Sequence, residues 1–400
     1  MATEYVYISS DSHLEVLPER WAHRVPAKFD SLIPRTVPHP DGGDAIHIEG
    51  APLFRVAYLD LRGGRTDEDW QPFDVSVDDT AGVGPPEQRL EEQDADGCAA
   101  EILFANMQAG PTLWRNITDE PAYLAVVRAY NGWLAEEYCS VNPQRLLGLG
   151  IIPWSTVDDA IREMEFCREM GLAGVSLGAF PNGNAYPMPE DDRFWAAAIE
   201  MDMRITIHVG FHRAGDRARQ PTFRYPKENP EILRKTGRGI VDWVAFLGLP
   251  PALSFTQLIL SGVFDRFEKL RIYFAETRLG WIPFWMEEAD VWYDRHRHWA
   301  QRYLGFEPVK RQPSEYIKDH FLFSVQLPER VAIELRHHIG LENMMFATDF
   351  PHIESEWPNT RPKLDRLTAS LSPQERYRLV AGNVIDFFAL DASVPKPVGA

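Results

Sequence analysis

The chain has 400 residues, of which 44% are apolar and 25% charged, a balance that excludes a disordered chain, a collagen-like repeat and a small disulfide scaffold. Its 59 acidic residues against 41 basic ones give a formal charge of −18. That charge argues against general binding to nucleic acid or anionic membranes, because phosphate affinity needs basic density, but it leaves room for a small anionic substrate held by one or two arginines.

Short β-type runs alternate with helical stretches along the chain. Candidate strands are Tyr5–Ser10, Glu101–Asn106, Leu146–Ile152, Gly174–Leu177, Arg204–Val209, Leu270–Glu276, Phe321–Gln326 and Met344–Thr348. Several are near-continuous apolar runs, as expected of parallel strands buried on both faces. Helical spacing covers Pro121–Tyr138, Thr156–Met170 (with Ser155 as N-cap and Gly171 after the last turn), Asp192–Met201 and Phe284–Tyr303. The last helix, Ser372–Leu390, opens on a Ser-Pro cap pair. This alternation predicts an α/β fold, a (β/α)8 TIM barrel, and no GxGxxG follows the first strand to support a dinucleotide fold.

The barrel is expected to be a single domain over residues 1–390, with 391–400 as a C-terminal tail. Two stretches rich in loop-forming residues break the alternation: 19–90 between strands one and two, and 211–258 after strand five. Both extend the C-terminal face, where barrel active sites are built. Cys98, Cys139 and Cys167 form no CxxC or zinc spacing and read as three reduced thiols. The N-terminal residues lack a basic, then apolar, leader pattern, and no apolar run approaches membrane-spanning length. The expectation is a cytoplasmic protein.

Chemistry-bearing residues collect at predicted strand ends. Asp11, His13 and Glu15 are spaced i, i+2, i+4 after the first strand, which puts them on one face of extended chain. His208 closes strand five, Glu276 closes strand six and Asp349 closes strand eight. Each has an ordinary structural explanation: a turn hydrogen bond for Asp11, a core histidine for His208, a salt bridge to Arg278 for Glu276, a turn aspartate for Asp349. Their coincidence at one barrel face points instead to one divalent metal, Zn, Mn or Fe, since imidazole and carboxylate suit all three. Trp114, Trp154, Trp281, Arg213 and Arg278 follow predicted strand ends. Aromatic walls with an arginine fit a planar carboxylate, so Arg213, Arg278 and Trp114 are the candidate substrate contacts. His296 and His298 do not share a helix face, and His337 and His338 read as surface.

The strand-one DSH, IHVG around His208, LSGVFDRFEKLRI ahead of strand six, ETRLGWIP, ATDFPH and AGNVIDFF together resemble the amidohydrolase-related barrel enzymes. The similar branch is that of the aminocarboxymuconate-semialdehyde and resorcylate-type decarboxylases, and the resemblance spans residues 5–390. It implies metal ligation by Asp11 and His13 in the place of the family's HxH, with His13 and Glu15 as the alternative register. It further implies ligation by His208 and by Asp349, which also handles a proton. It implies a small-molecule substrate, a carboxylate, and a homodimer. One departure stands out: Glu276 occupies the strand-six position of a histidine seen in many relatives, which makes it a candidate acid–base alongside Asp349.

Two neutral histidines with Asp11 and Asp349 cancel the charge of a divalent ion, and Glu276 takes the sum one unit further negative. Water bound to such an ion ionises less readily than at a histidine-rich site. The leading expectation is therefore a carboxy-lyase (non-oxidative decarboxylase) acting on an aromatic or unsaturated carboxylate. The alternatives are a metal-dependent hydrolase of an amide, ester or lactone, and an inactive barrel serving as a binding subunit.

Overall fold

The computed structural model describes residues 5–40, 43–55, 61–66, 69, 80–211, 223–227, 241, 250–390 and 394. Eight parallel strands follow one another around a barrel: β1 (Tyr7–Leu14), β5 (Cys98–Ala105), β6 (Leu146–Ile151), β7 (Gly174–Ser176), β8 (Ile205–His208), β9 (Ile272–Ala275), β10 (Phe321–Val325) and β11 (Met344–Phe346). Between β1 and β5 lies a three-stranded antiparallel sheet of β2 (Arg35–Pro38), β3 (Asp44–His47) and β4 (Phe54–Arg55). The architecture is the (β/α)8 barrel expected from the alternation, and all eight predicted barrel strands are present.

The apolar runs explain most strands directly. Every residue of Cys98–Ala105 and Leu146–Ile151 is buried, with barrel partners on one side and helices on the other. β1 differs, because its sequence YISSDSHL is polar in the middle yet wholly buried. The predicted strand stops at Ser10, whereas the observed one runs to Leu14. The serine hydroxyls make the extension possible by bonding within the barrel. Ser9 Oγ and Thr348 Oγ1 lie 3.0 Å apart, Ser12 Oγ donates to Ser9 Oγ at 3.0 Å, and Tyr273 Oη donates to Ser10 Oγ at 2.8 Å. Satisfied hydroxyls cost little to bury. The ring closes between β11 and β1 through Ser10 Oγ to the Met345 carbonyl at 3.3 Å and Asp349 N to the Asp11 carbonyl at 2.9 Å.

Helix boundaries follow capping chemistry. Asp119 Oδ1 accepts from Ala122 N at the start of Glu120–Trp133. Helix Val157–Glu169 is capped by Thr156, not by Ser155 as the sequence suggested; Thr156 Oγ1 accepts from Asp159 N, and Ser155 Oγ instead donates to the Asp159 carboxylate. Ser372 and Glu375 form a reciprocal capping box at the last helical stretch. The thiols of Cys98, Cys139 and Cys167 are free and buried. No helix among the described residues is long and apolar enough to cross a membrane.

The segment between β1 and β5 does more than extend a loop. Arg62 N and Gly63 N both donate to the Pro351 carbonyl, at 3.1 and 2.9 Å, and Leu61 makes an antiparallel bridge with His352. Gly82, at φ +86°, packs so closely that a Cβ there would stand 2.4 Å from Pro351 Cβ. Arg89, on helix Pro86–Asp96, is buried. It donates to both Glu101 oxygens, at 2.6 and 3.1 Å, to the Gly82 carbonyl at 3.2 Å and to the Phe350 carbonyl at 3.2 Å. Its guanidinium lies 4.6 Å from the Phe350 ring centroid. The turn after β11 is thus fastened to the inserted segment by backbone hydrogen bonds and by the buried Arg89, which bonds the Phe350 carbonyl while its ion pair with Glu101 ties it to β5.

Removing one partner of a buried pair leaves the other charge uncompensated, a loss of about 3–5 kcal/mol. Arg89→Met should therefore lower unfolding stability by roughly that amount in denaturant titration. A double Arg89→Met/Glu101→Leu variant should recover part of the loss.

Candidate active site

Four strand ends deliver four donors to one point. Asp11 and His13 lie inside β1 two residues apart, so both face the barrel interior. His208 is the last residue of β8, and Asp349 follows β11. One ligand atom from each of Asp11, His13, His208 and Asp349 falls within 4.8 Å of the other three, and all four residues are buried. His13 Nε2 is 3.1 Å from Asp349 Oδ1, 3.5 Å from Asp11 Oδ1 and 3.1 Å from His208 Nε2; His208 Nε2 is 3.8 Å from Asp11 Oδ2. Donors each about 2.1 Å from one ion lie roughly 3–3.5 Å from one another, so the spacing suits a shared cation.

The polar bookkeeping of the site points the same way. Both oxygens of Asp11 are buried without a hydrogen-bond partner, and the equally buried Asp349 has Oδ1 3.1 Å from His13 Nε2 and 3.2 Å from His352 Nδ1. Unpaired buried carboxylates are among the most expensive groups a fold can carry. Burial pushes the Asp11 carboxyl well above the usual carboxylate range, and the neighbouring Asp349 and Glu276 push it further. Burial would raise Asp349 too, but the His352 and His13 imidazoles outweigh it and hold Asp349 well below the usual range. Burial, and then His352, lower His13, which keeps it a neutral donor. Two imidazoles and two carboxylates converging at one buried point fit a divalent ion such as Zn, Mn or Fe.

Strain marks the same face. Val209, Glu276, Arg278 and Asp349 all have positive φ, between 51° and 60°. Non-glycine residues rarely adopt that conformation, least of all a β-branched valine, and such strain gathers where a site dictates side-chain direction. The turn at Glu276 aims its carboxylate at His208, with Oε2 3.3 Å from Nε2. Burial and Asp349 raise its pKa to about 8.

Other sequence candidates fall elsewhere. Glu15 lies just past the end of β1, where the strand alternation no longer applies, and is not one of the four clustered residues. Its Oε1 accepts from Asn106 Nδ2 at 2.6 Å and meets His352 Nε2 at 2.9 Å. Arg278 pairs with Glu354 at 3.2 Å rather than with Glu276, and its Nη1 is buried with no hydrogen-bond partner. Trp114 is buried, packs on Trp21 and Tyr130, and lines a cleft whose polar members are Glu15 and Asn106. Trp154 is buried with Met107 and Ala179, while Trp281 is half-buried beside Phe255. Arg213 lies outside the described residues. His296 is held between Trp292 and Trp299 on the long helix Ile282–Leu304, away from any metal cluster among the described residues.

The residue that sequence reasoning passed over is His352, whose ring stacks on His13 with centroids 4.0 Å apart and also meets Asp349. Its only sequence signal is its place three residues after Asp349, across Pro351.

Residues 104–390 match the sequence pattern of the family described as Amidohydrolase. The chain belongs to that family. It is 23% identical over 307 residues to the 2-amino-3-carboxymuconate-6-semialdehyde decarboxylase of Dictyostelium discoideum, covering 76% of this chain and 77% of that protein. Among solved structures it resembles an amidohydrolase from Mycobacterium avium subsp. paratuberculosis, with a TM-score of 0.65 and 17% identity over 96% of this chain and 99% of the other. It also resembles the 5-carboxyvanillate decarboxylase of Novosphingobium aromaticivorans, solved with manganese and 4-hydroxy-3-methoxy-5-nitrobenzoic acid, with a TM-score of 0.62 and 17% identity over 97% of each chain.

If the two carboxylates await a cation, chelator treatment should lower Tm and one equivalent of divalent metal should restore it. At 100 times Kd the stabilisation amounts to about 2.7 kcal/mol. Asp11→Asn should reverse the sign in the chelated protein: relief of the buried like-charge repulsion leaves it as stable as wild type or more so, while the metal-induced rise in Tm shrinks. Thermal melts of both proteins with and without metal test this.

Proposed function

We propose that this protein is a metal-dependent carboxy-lyase that removes carbon dioxide, without oxidation, from an aromatic or unsaturated carboxylate. The observation that carries the reading is the pair of buried carboxylates, Asp349 and the hydrogen-bond-orphaned Asp11, converging with His13 and His208 at the end of the barrel where Glu276 stands. The decarboxylase names of relatives in two separate comparisons support it.

Asp11, His13, His208 and Asp349 would hold the ion, which would supply an electrophile that anchors an anionic substrate. Two aspartate ligands would neutralise a divalent ion, which would weaken water activation and favour a reaction that needs no hydroxide. Arg278, with Nη1 unspent, draws the anionic end of the substrate towards the mouth. Glu276 holds the proton. Burial and Asp349 hold its carboxyl above the usual carboxylate range, which favours the protonated form, and its contact with His208 puts it beside the metal donors. As the carbon–carboxylate bond breaks, its electron pair stays on the ring carbon and takes the Glu276 proton. Carbon dioxide leaves, and solvent returns a proton to the carboxylate. Asp349, held anionic by His352 and His13, serves as a ligand rather than as the acid. In the hydrolytic alternative, Asp349 would instead accept a proton from water.

Decarboxylation of an ortho-hydroxy aromatic acid in heavy water should place one deuterium on the carbon that lost the carboxylate. Uptake of labelled oxygen from water into product, without carbon dioxide release, would establish the hydrolase instead. Glu276→Gln should lower kcat by about 10²–10⁴ while retaining metal. In wild type the rate should fall as pH rises through the Glu276 pKa, since the acid must be protonated, with the bound cation moving that midpoint below 8. The Gln variant should lose this alkaline limb.

A further inference from the structure

The proposed ligands account for four of the buried polar groups at this end of the barrel and leave a connected set beside them. His352 stands between two carboxylates: its Nδ1 is 3.2 Å from Asp349 Oδ1 and its Nε2 is 2.9 Å from Glu15 Oε1. Glu15 Oε1 accepts a second hydrogen bond, from Asn106 Nδ2 at 2.6 Å. The ring of His352 lies nearly parallel to that of His13, at 18° and 4.0 Å. One imidazole therefore touches two of the proposed ligands, Asp349 by its edge and His13 by its face, while its far nitrogen is tied to the end of β1 and, through Asn106, to the end of β5.

The backbone holds this ring as firmly as the side chains do. Leu61 bridges to His352, Arg62 N and Gly63 N bond the Pro351 carbonyl, and Arg89 and His13 N both donate to the Phe350 carbonyl. The turn bearing Asp349 and His352 cannot shift without breaking contacts to the segment between β1 and β5.

We propose that His352, anchored by Glu15 and Asn106, is a positioning residue that sets the Asp349 carboxylate and the His13 ring for metal binding, and that Glu15 acts through it rather than on the metal. The inference rests on the metal-site reading above. It gives physical purpose to a carboxylate that the strand-one spacing could equally assign to the metal. A rigid partner outside the ligands raises affinity because ligands already aimed at the ion lose less freedom on binding it.

The test measures the affinity of the purified full-length protein for Mn²⁺ or Zn²⁺ alone, by competition with a chromophoric chelator. His352→Phe keeps a flat ring on His13 but removes both polar contacts. It should weaken affinity ten- to hundred-fold, the range typical of lost outer-shell partners. Glu15→Ala should weaken it similarly, and Glu15→Gln, which keeps an acceptor oxygen, should restore most of it. The His352→Phe/Glu15→Ala double variant should lose no more than His352→Phe alone, because the two residues act as one unit. If either single variant binds metal like wild type, or if the losses multiply in the double variant, the proposal is overturned. Should His352→Phe fail to fold, as judged by circular dichroism, Asn106→Ala and the Glu15 pair carry the same test. Wild-type protein that takes up no stoichiometric metal would overturn the metal-site reading itself, an outcome distinct from unchanged variants of a metal-binding wild type.

Discussion

Two carboxylates buried within one barrel end, Asp11 without a hydrogen bond and Asp349 against two imidazoles, set the terms for everything around them. Asp11 and Asp349 repel each other and cannot reach water. A fold can carry such a pair only if something positive compensates it or a proton neutralises one member. His352 lies 3.2 Å from Asp349 and burial keeps His13 neutral, so Asp11 is the carboxylate whose charge a bound cation would compensate. The substrate chemistry proposed above follows from the same charges: an ion neutralised by its own ligands binds an anionic substrate while activating water poorly.

That demand propagates outward. Three strand ends take up left-handed backbone at Val209, Glu276 and Asp349 so that the chain can turn while its side chains still face inward. The turn after β11 is fixed from outside by residues 61–63, Gly82 and Arg89, all from the segment inserted between β1 and β5. The insertion therefore acts as a clamp on the turn that bears Asp349 and His352. Its ion pair, Arg89 with Glu101, is buried against the barrel wall, where the low dielectric makes both its presence and its loss consequential.

Much of the molecule was legible without coordinates. Long apolar runs separated by capped helical stretches announced the barrel, because strands covered on both faces and helices with one buried face leave different periodicities. His208, Glu276 and Asp349 were legible for a related reason: a polar residue closing an apolar strand has few inexpensive explanations. The boundary of β1 was not legible, since serine is a poor signal of burial, and only the hydroxyl contacts to Thr348 and Tyr273 show how ISSDSHL stays in the sheet. His352 was missed because it follows a turn-forming proline, where local pattern carries no information about direction.

What the sequence by itself determined was the kind of architecture and the set of residues from which a site could be made, for these depend on local periodicity and on the cost of burying polar atoms. It left open whether Asp11 or Glu15 joins His13, because both satisfy the same two-residue spacing. Tertiary structure decided that question of proximity. The strand continues through His13 and ends at Leu14, so Asp11 shares the interior face with His13 while Glu15 meets Asn106 and His352. Partnership between residues 337 positions apart is a property of the closed barrel and its clamp, and no spacing along the chain encodes it.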